Sequence, residues 1–277
     1  MKKSGQAKPK LRARRALSQN FIIDDAVADR IAAALPIKPD DFIFEVGAGK
    51  GYLTERLAAT GARIWAVEMD RRMIGMLRKK FRRSDQIRII HADVLSLPPD
   101  AEPPDHTWLV GNLPYGIGQA ILNWAIERRS RWRGAVVMLQ REVVRRLLAP
   151  PGDRDRAALS IWFQARATGH ALFEVPPRAF HPPPRVTSSV MWIEFTPQTP
   201  GIETVPGLDV LVRCAFAQRR KVLINNLRAI PRITADALDR LHAAFPDLLR
   251  KRAQDLSADE FVQIVRILQI ESPPPDA

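Results

Sequence analysis

The chain has 277 residues, of which 46% are hydrophobic and 26% charged, the composition of a folded globular protein rather than a disordered one. No apolar run reaches the roughly 18–20 residues of a membrane span. A single cysteine, Cys214, excludes an intrachain disulfide and points to a reducing, cytoplasmic setting. With so few cysteines and histidines no metal site is expected. Lysine plus arginine number 43 against 30 acids, a net charge of +13. Such an excess favours a polyanionic partner, because each neutralised phosphate releases condensed counterions.

Residues 1–16 carry Lys2, Lys3, Lys8, Lys10, Arg12, Arg14 and Arg15 and no acid, and read as a flexible basic arm. An amphipathic helix is predicted from Asp24 to about Leu35, stopped by Pro36 and Pro39. Strand and helix patterns then alternate: strands at Phe42–Val46, Arg63–Val67, Ile87–His91, Thr107–Val110 and Ala135–Leu139, helices at Gly51–Thr60, Asp70–Phe81 and Gln119–Arg128. The helix over Asp70–Phe81 has a strongly basic face. Alternation at this spacing predicts an α/β, Rossmann-like, doubly wound and mainly parallel sheet, and the nearly all-apolar strands fit burial on both faces. Ala157–Arg166 reads as helix. Ala171–Val175 and Ser189–Phe195 read as strands joined by a proline-rich stretch that could add to the sheet edge. Thr196–Gly207 reads as a linker, and Leu208–Ile270 shows only helical periodicity. The expected division is a catalytic domain over residues 17–198 and a small all-helical domain over 199–277.

The first strand runs into Glu45-Val-Gly47-Ala-Gly49-Lys-Gly51. Glycines there allow a tight turn and close approach of a ligand to the backbone. A dinucleotide fingerprint would place glycine at position 52, but Tyr52 stands there, which fits a ligand without a pyrophosphate. The second strand ends at Glu68, where a carboxylate can accept from both ribose hydroxyls of an adenosine, and Asp93 follows the third. Three such features at the carboxyl ends of successive strands mark one ligand-binding edge. The fourth strand ends in Gly111-Asn112-Leu113-Pro114-Tyr115. Transfer to an aromatic amine is helped by acceptors that draw the nitrogen towards tetrahedral geometry. The Asn112 side-chain oxygen and a carbonyl of the Leu113-Pro114 turn supply two, and Tyr115 can stack on an extruded base.

With these motifs the chain resembles the rRNA adenine dimethyltransferase family from about Leu17 to Ile270. The resemblance also rests on Ser18-Gln-Asn-Phe-Ile22, Leu139-Gln-Arg-Glu-Val-Val144, Val175–Val186 and Ala215-Phe-Ala-Gln-Arg-Arg-Lys221. It implies S-adenosylmethionine as cofactor, held by Asn20, Ile22, Gly47, Glu68, Asp93 and Asn112. It implies a target adenine between Tyr115 and Phe180 and rRNA contacts by Arg219, Arg220 and Lys221. It further implies a monomeric enzyme that dimethylates two adjacent adenines near the 3′ end of small-subunit rRNA during subunit assembly. The related large-subunit methyltransferases of macrolide resistance share the Ser18-Gln-Asn-Phe and Phe180-His-Pro features, whereas Leu113 and the Gln-Arg-Arg-Lys run favour the small-subunit branch. A non-catalytic RNA-binding assembly factor on this fold would be expected to lose the glycine loop or the Asn-Leu-Pro-Tyr turn, and both are intact.

Overall fold

The computed structural model describes residues 20–195, 207–228, 230 and 233–269. The basic arm, Ser18 and the linker residues 196–206 lie outside them. A seven-stranded sheet has the order β4-β3-β2-β5-β6-β9-β7, built from β2 (Phe42–Val46), β3 (Arg63–Glu68), β4 (Ile87–His91), β5 (Thr107–Asn112), β6 (Trp132–Gln140), β7 (Ala167–Val175) and β9 (Ser188–Phe195). The pairs β2–β3, β2–β5, β3–β4 and β5–β6 are all parallel. The expected class is therefore the observed one. A parallel pair needs a crossover, and each helix between these strands supplies it: α2 (Tyr52–Ala58), α3 (Arg71–Lys80) and α4 (Gly118–Glu127). Ile43, Phe44, Ile64, Ala66 and Val110 are completely buried, as strands covered on both faces require.

Local chemistry sets the helix starts. Asp24 caps α1 (Asp25–Ala33) by accepting from the Ala26 and Val27 N–H groups, and Asp70 caps α3 through the Arg72 N–H. Gly51, at φ 70, opens α2, and a Cβ there would stand 2.7 Å from the Phe81 ring, so only glycine fits. One pairing had no sequence signal. The two-residue strand β1 (Phe21–Ile22) pairs antiparallel with β8 (Phe180–His181), setting Ile22 opposite Phe180.

The chain divides into two compact units. The first runs through Glu127 and adds Arg131–Gln140 and Phe173–Val190; the second takes Arg128–Ser130, Arg141–Leu172 and the residues from Met191 onward. The second unit thus joins α5 (Arg141–Leu148) and α6 (Ala158–Gln164) to α7 (Leu208–Ala217), α8 (Leu223–Leu227), α9 (Ala235–Ala244) and α10 (Ala258–Leu268). It is not the single C-terminal stretch that a cut at the linker would give. The physical reason lies in α6, whose Ile161 is fully buried in one apolar cluster with Leu211, Leu223, Phe261 and Ile264. Arg156 is also fully buried and ties this unit together through the Leu256 and Ala149 carbonyls and the Gln164 side chain. Among the described residues no helix is long and apolar enough to cross a membrane.

Candidate active site

The carboxyl ends of β2, β3, β4 and β5 open onto a cavity of about 370 Å³ in the first unit. Its lining contains Asn20, Gly47, Glu68, Asp93, Asn112, Leu113, Pro114 and Tyr115, so most residues singled out from the sequence meet at one place. Gly47 and Gly49 reach the wall because both adopt positive φ, 75° and 54°. The loop is pinned to β3 by the Gly47 and Ala48 N–H groups, which both donate to the Val67 carbonyl.

Glu68 is the polar anchor of the cavity. One carboxylate oxygen accepts from the Gly49 N–H at 2.8 Å and the other from the Asp70 N–H at 2.7 Å. Each oxygen keeps a further lone pair for a ligand hydroxyl. Burial raises the Glu68 pKa, and the backbone N–H groups of Asp70 and Gly49 oppose that shift. Asp93 accepts from the Leu95 N–H at 3.0 Å as the cap of a short 3₁₀ turn.

Asn112 is oriented by a contact that the sequence did not disclose. Its side-chain NH₂ donates to the Asn20 carbonyl at 2.9 Å, so the amide oxygen is left as the acceptor. In the turn that follows, the Pro114 carbonyl accepts from the Ile117 N–H at 3.1 Å. Leu113 carries the turn's other carbonyl, and its N–H is fixed to the Met138 carbonyl at 3.1 Å. Gly111 lets β5 approach β2 closely, since a Cβ there would stand 2.8 Å from the Val46 carbonyl oxygen. The Tyr115 hydroxyl shares a hydrogen bond with Ser188, and burial raises the phenol pKa, so the ring is neutral and held by its tip.

Two expected residues lie elsewhere. Phe180 is only 2% exposed and does not line this cavity; it is buried in β8, where its backbone pairs with Ile22. Ile22 lines an adjoining small cavity with Phe21, Glu45, Lys50 and Tyr52. Conversely, Met69, Leu95 and Ile117 line the main cavity and rank among the exposed large hydrophobic residues. In the sequence they read as ordinary apolar positions; their exposure beside Glu68 and Asp93 supplies surfaces for a flat heteroaromatic ring.

Glu45, at the start of the glycine motif, is 2% exposed and accepts from the Thr54 hydroxyl at 2.6 Å. Burial pushes its pKa up to about 7 against an ordinary 4.5. The folded protein therefore binds this proton where the unfolded chain has lost it, and stability falls as pH rises between those two values. Glu45→Gln is expected to remove that penalty. In thermal melts across pH the variant should gain a few degrees on the parent at pH 8, each ~1 kcal/mol being about 2–4 °C for a chain of this size, and gain nothing at pH 4. A constant offset at both values would show that the carboxyl does not titrate in this window.

In the second unit the expected nucleic-acid residues are exposed. Arg219 donates to the Arg154 and Arg156 carbonyls, each at 2.8 Å. An antiparallel bridge pairs Val222 with Arg252, and the Leu223 N–H donates to the Lys251 carbonyl at 2.8 Å, so the exposed Arg252 stands next to the Lys221 end of the run.

The family model for ribosomal RNA adenine dimethylase matches residues 10–269. The chain is 38% identical over 258 residues to ribosomal RNA small subunit methyltransferase A of Desulfitobacterium hafniense, covering 90% of each. It is 37% identical to the protein of the same name from Geobacter metallireducens, covering 93% of this chain and 96% of that one. Among solved structures, a dimethyladenosine transferase from Plasmodium falciparum superposes with a TM-score of 0.76 at 23% identity, over 88% of this chain and 95% of that one, a likeness of fold. The 23S rRNA methyltransferase ErmE superposes with a TM-score of 0.67 at 27% identity, over 90% of this chain and all of that one. A match over residues 10–269, with 37–38% identity to relatives covered over nine-tenths of their length, shows that the chain belongs to the ribosomal RNA adenine dimethylase family.

Proposed function

We propose that the protein transfers methyl groups from S-adenosylmethionine to the exocyclic amines of two adjacent adenines near the 3′ end of small-subunit rRNA. The observation that carries this reading is the Asn112 amide, whose NH₂ is committed to the Asn20 carbonyl and whose oxygen is thereby fixed as an acceptor at the cavity. The relatives at 37–38% identity are named as small-subunit enzymes, which favours that substrate over large-subunit rRNA. A sole role as an assembly factor would leave the acceptor geometry of Asn112 and the Glu68 anchor without a use.

The residues present fit the cofactor. Glu68 offers lone pairs to ribose hydroxyls, Asp93 can accept from an adenine amine, and Met69, Leu95 and Ile117 in the cavity wall would supply apolar contact to a ring. When bound, the cofactor supplies an already activated methyl group on a sulfonium. The protein then needs positioning more than a strong base. Asn112 and the Leu113 carbonyl accept from the target amine and favour the tetrahedral nitrogen of the transition state over the planar ground state. Tyr115 gives the extruded base a neutral face to stack on. Stacking by Phe180 as well would require its ring to be uncovered. Arg219, Arg220 and Lys221, joined by Arg252, contact rRNA phosphates. The enzyme acts as a cytoplasmic monomer on a pre-ribosomal small subunit.

The deciding experiment offers labelled S-adenosylmethionine with small ribosomal subunits lacking the modification and, separately, with protein-free large-subunit rRNA. Dimethyladenosine near the 3′ end of the small-subunit RNA is the expected product. Label confined to large-subunit RNA would transfer the protein to the resistance branch, and no label in either would leave only the assembly role.

A further inference from the structure

The exposed face of α3 carries a charge pattern that the cavity does not account for and that helix stability accounts for only at Arg78 and Lys79. Between Arg71 and Ser84 there is no acidic residue. The helix buries Met73, Ile74 and Leu77. The opposite face presents Arg71, Gly75, Arg78 and Lys79, continued by Arg82 and Arg83 in the turn beyond, all of them exposed. Two other cations of this segment have acidic partners: Arg72 pairs with its cap Asp70, and Lys80 with Glu55. Arg78 and Lys79 in the last turn gain from the helix dipole. Arg71 does not, because a cation in the first turn opposes that dipole, and Arg82 and Arg83 lie past the helix end. Like charges at these spacings repel one another. A surface that keeps them together without acids is matched to a polyanion.

Gly75 sits in the middle of this stripe, and a Cβ built there would meet nothing within 4 Å. A glycine in a helix interior costs stability relative to alanine, and no packing contact calls for it here. Its effect is to leave bare backbone at the centre of the basic stripe, where a phosphate can come close.

We propose that this face of α3 is a second RNA-contacting surface, in the first unit, that grips the phosphate backbone of the substrate rRNA. The proposal rests on the reading of rRNA as substrate. The stripe extends over α3 for about 14 Å at ~1.5 Å per residue, long enough to meet more than one phosphate of a strand. It carries no sequence readout; it adds affinity and orientation.

The test measures binding of the full chain to small ribosomal subunits lacking the modification, as a function of salt. Each lost phosphate contact lowers the slope of log affinity against log salt by ~0.7–0.9. Replacing Arg78, Lys79, Arg82 and Arg83 together by Gln is expected to flatten the slope by about 3, and to weaken binding at least tenfold at ~0.1 M salt. S-adenosylmethionine affinity should stay at the parent value. Gly75→Glu, which has room for its side chain and sets an acid in the stripe, should weaken binding several-fold, and Gly75→Ala, which only covers the bare backbone, should weaken it by a smaller factor. An unaltered slope in the fourfold variant, or equal binding by Gly75→Glu and Gly75→Ala, overturns the proposal. If the parent meanwhile methylates the subunits, only the α3 surface is lost. A parent that neither binds nor methylates them overturns the substrate reading as well.

Discussion

Asn112→Ala is expected to lower turnover about 10²–10³-fold at saturating cofactor, the usual cost of removing one preorganised polar group aimed at the reacting atoms, while rRNA affinity stays near the parent value. The Asn112 side-chain NH₂ is taken by the Asn20 carbonyl, so the oxygen has no freedom to turn away from an amine donor. An acceptor fixed before substrate arrives needs no reorganisation during the reaction, and its full effect falls on the transition state. A tethering role predicts a different result. If Asn112 served only to hold residue 20 at the cavity, the Ala variant would bind cofactor less well but recover turnover once cofactor saturates. Single-turnover rates at rising S-adenosylmethionine separate the two, and recovery to within a few-fold of the parent would remove Asn112 from the chemistry.

The scaffold of the site was legible because parallel strands buried on both faces leave a simple record. Phe42–Val46, Arg63–Glu68 and Thr107–Asn112 are short and largely apolar runs that end in a glycine loop, an acid and an amide. In such a sheet, strand ends converge on one edge, so order along the chain became neighbourhood in space. What stayed hidden depends on contacts without local periodicity. Strand β1 is two residues long and pairs with β8, far along the chain; a pair so short leaves no alternation to read. Phe180 could be placed by resemblance, but its burial opposite Ile22 is a tertiary outcome. The meeting of Arg252 with Val222 is of the same kind. The hydrophobic residues of the cavity wall were illegible for another reason. Leucine, isoleucine and methionine carry the same apolar signal whether buried or lining a ligand site, and only the observed exposure of Met69, Leu95 and Ile117 separates them from the core.

Glu68→Gln should raise the S-adenosylmethionine dissociation constant about 100-fold, roughly 3 kcal/mol. Hydrogen bonds to a charged acceptor contribute ~1.5–3 kcal/mol each, and Glu68 can offer one such bond to each of two ribose hydroxyls. The amide substitution harms the empty site too. One carboxylate oxygen becomes an NH₂ that must face either the Gly49 or the Asp70 N–H, setting donor against donor in a buried position. Hence the glycine loop is expected to loosen along with the ribose contact. The raised pKa of Glu68 adds a dependence on pH that the variant should lack. Protonation removes the charge that strengthens both bonds, so parent affinity should fall as pH is lowered, and should begin to fall at a higher pH than an ordinary glutamate would allow. Calorimetric titration of parent and variant at pH 8 and at stepwise lower pH distinguishes the cases. A parent whose affinity is flat down to the ordinary glutamate range, with Glu68→Gln binding as tightly as the parent at pH 8, would move the ribose to another acceptor and leave Glu68 only the loop to hold.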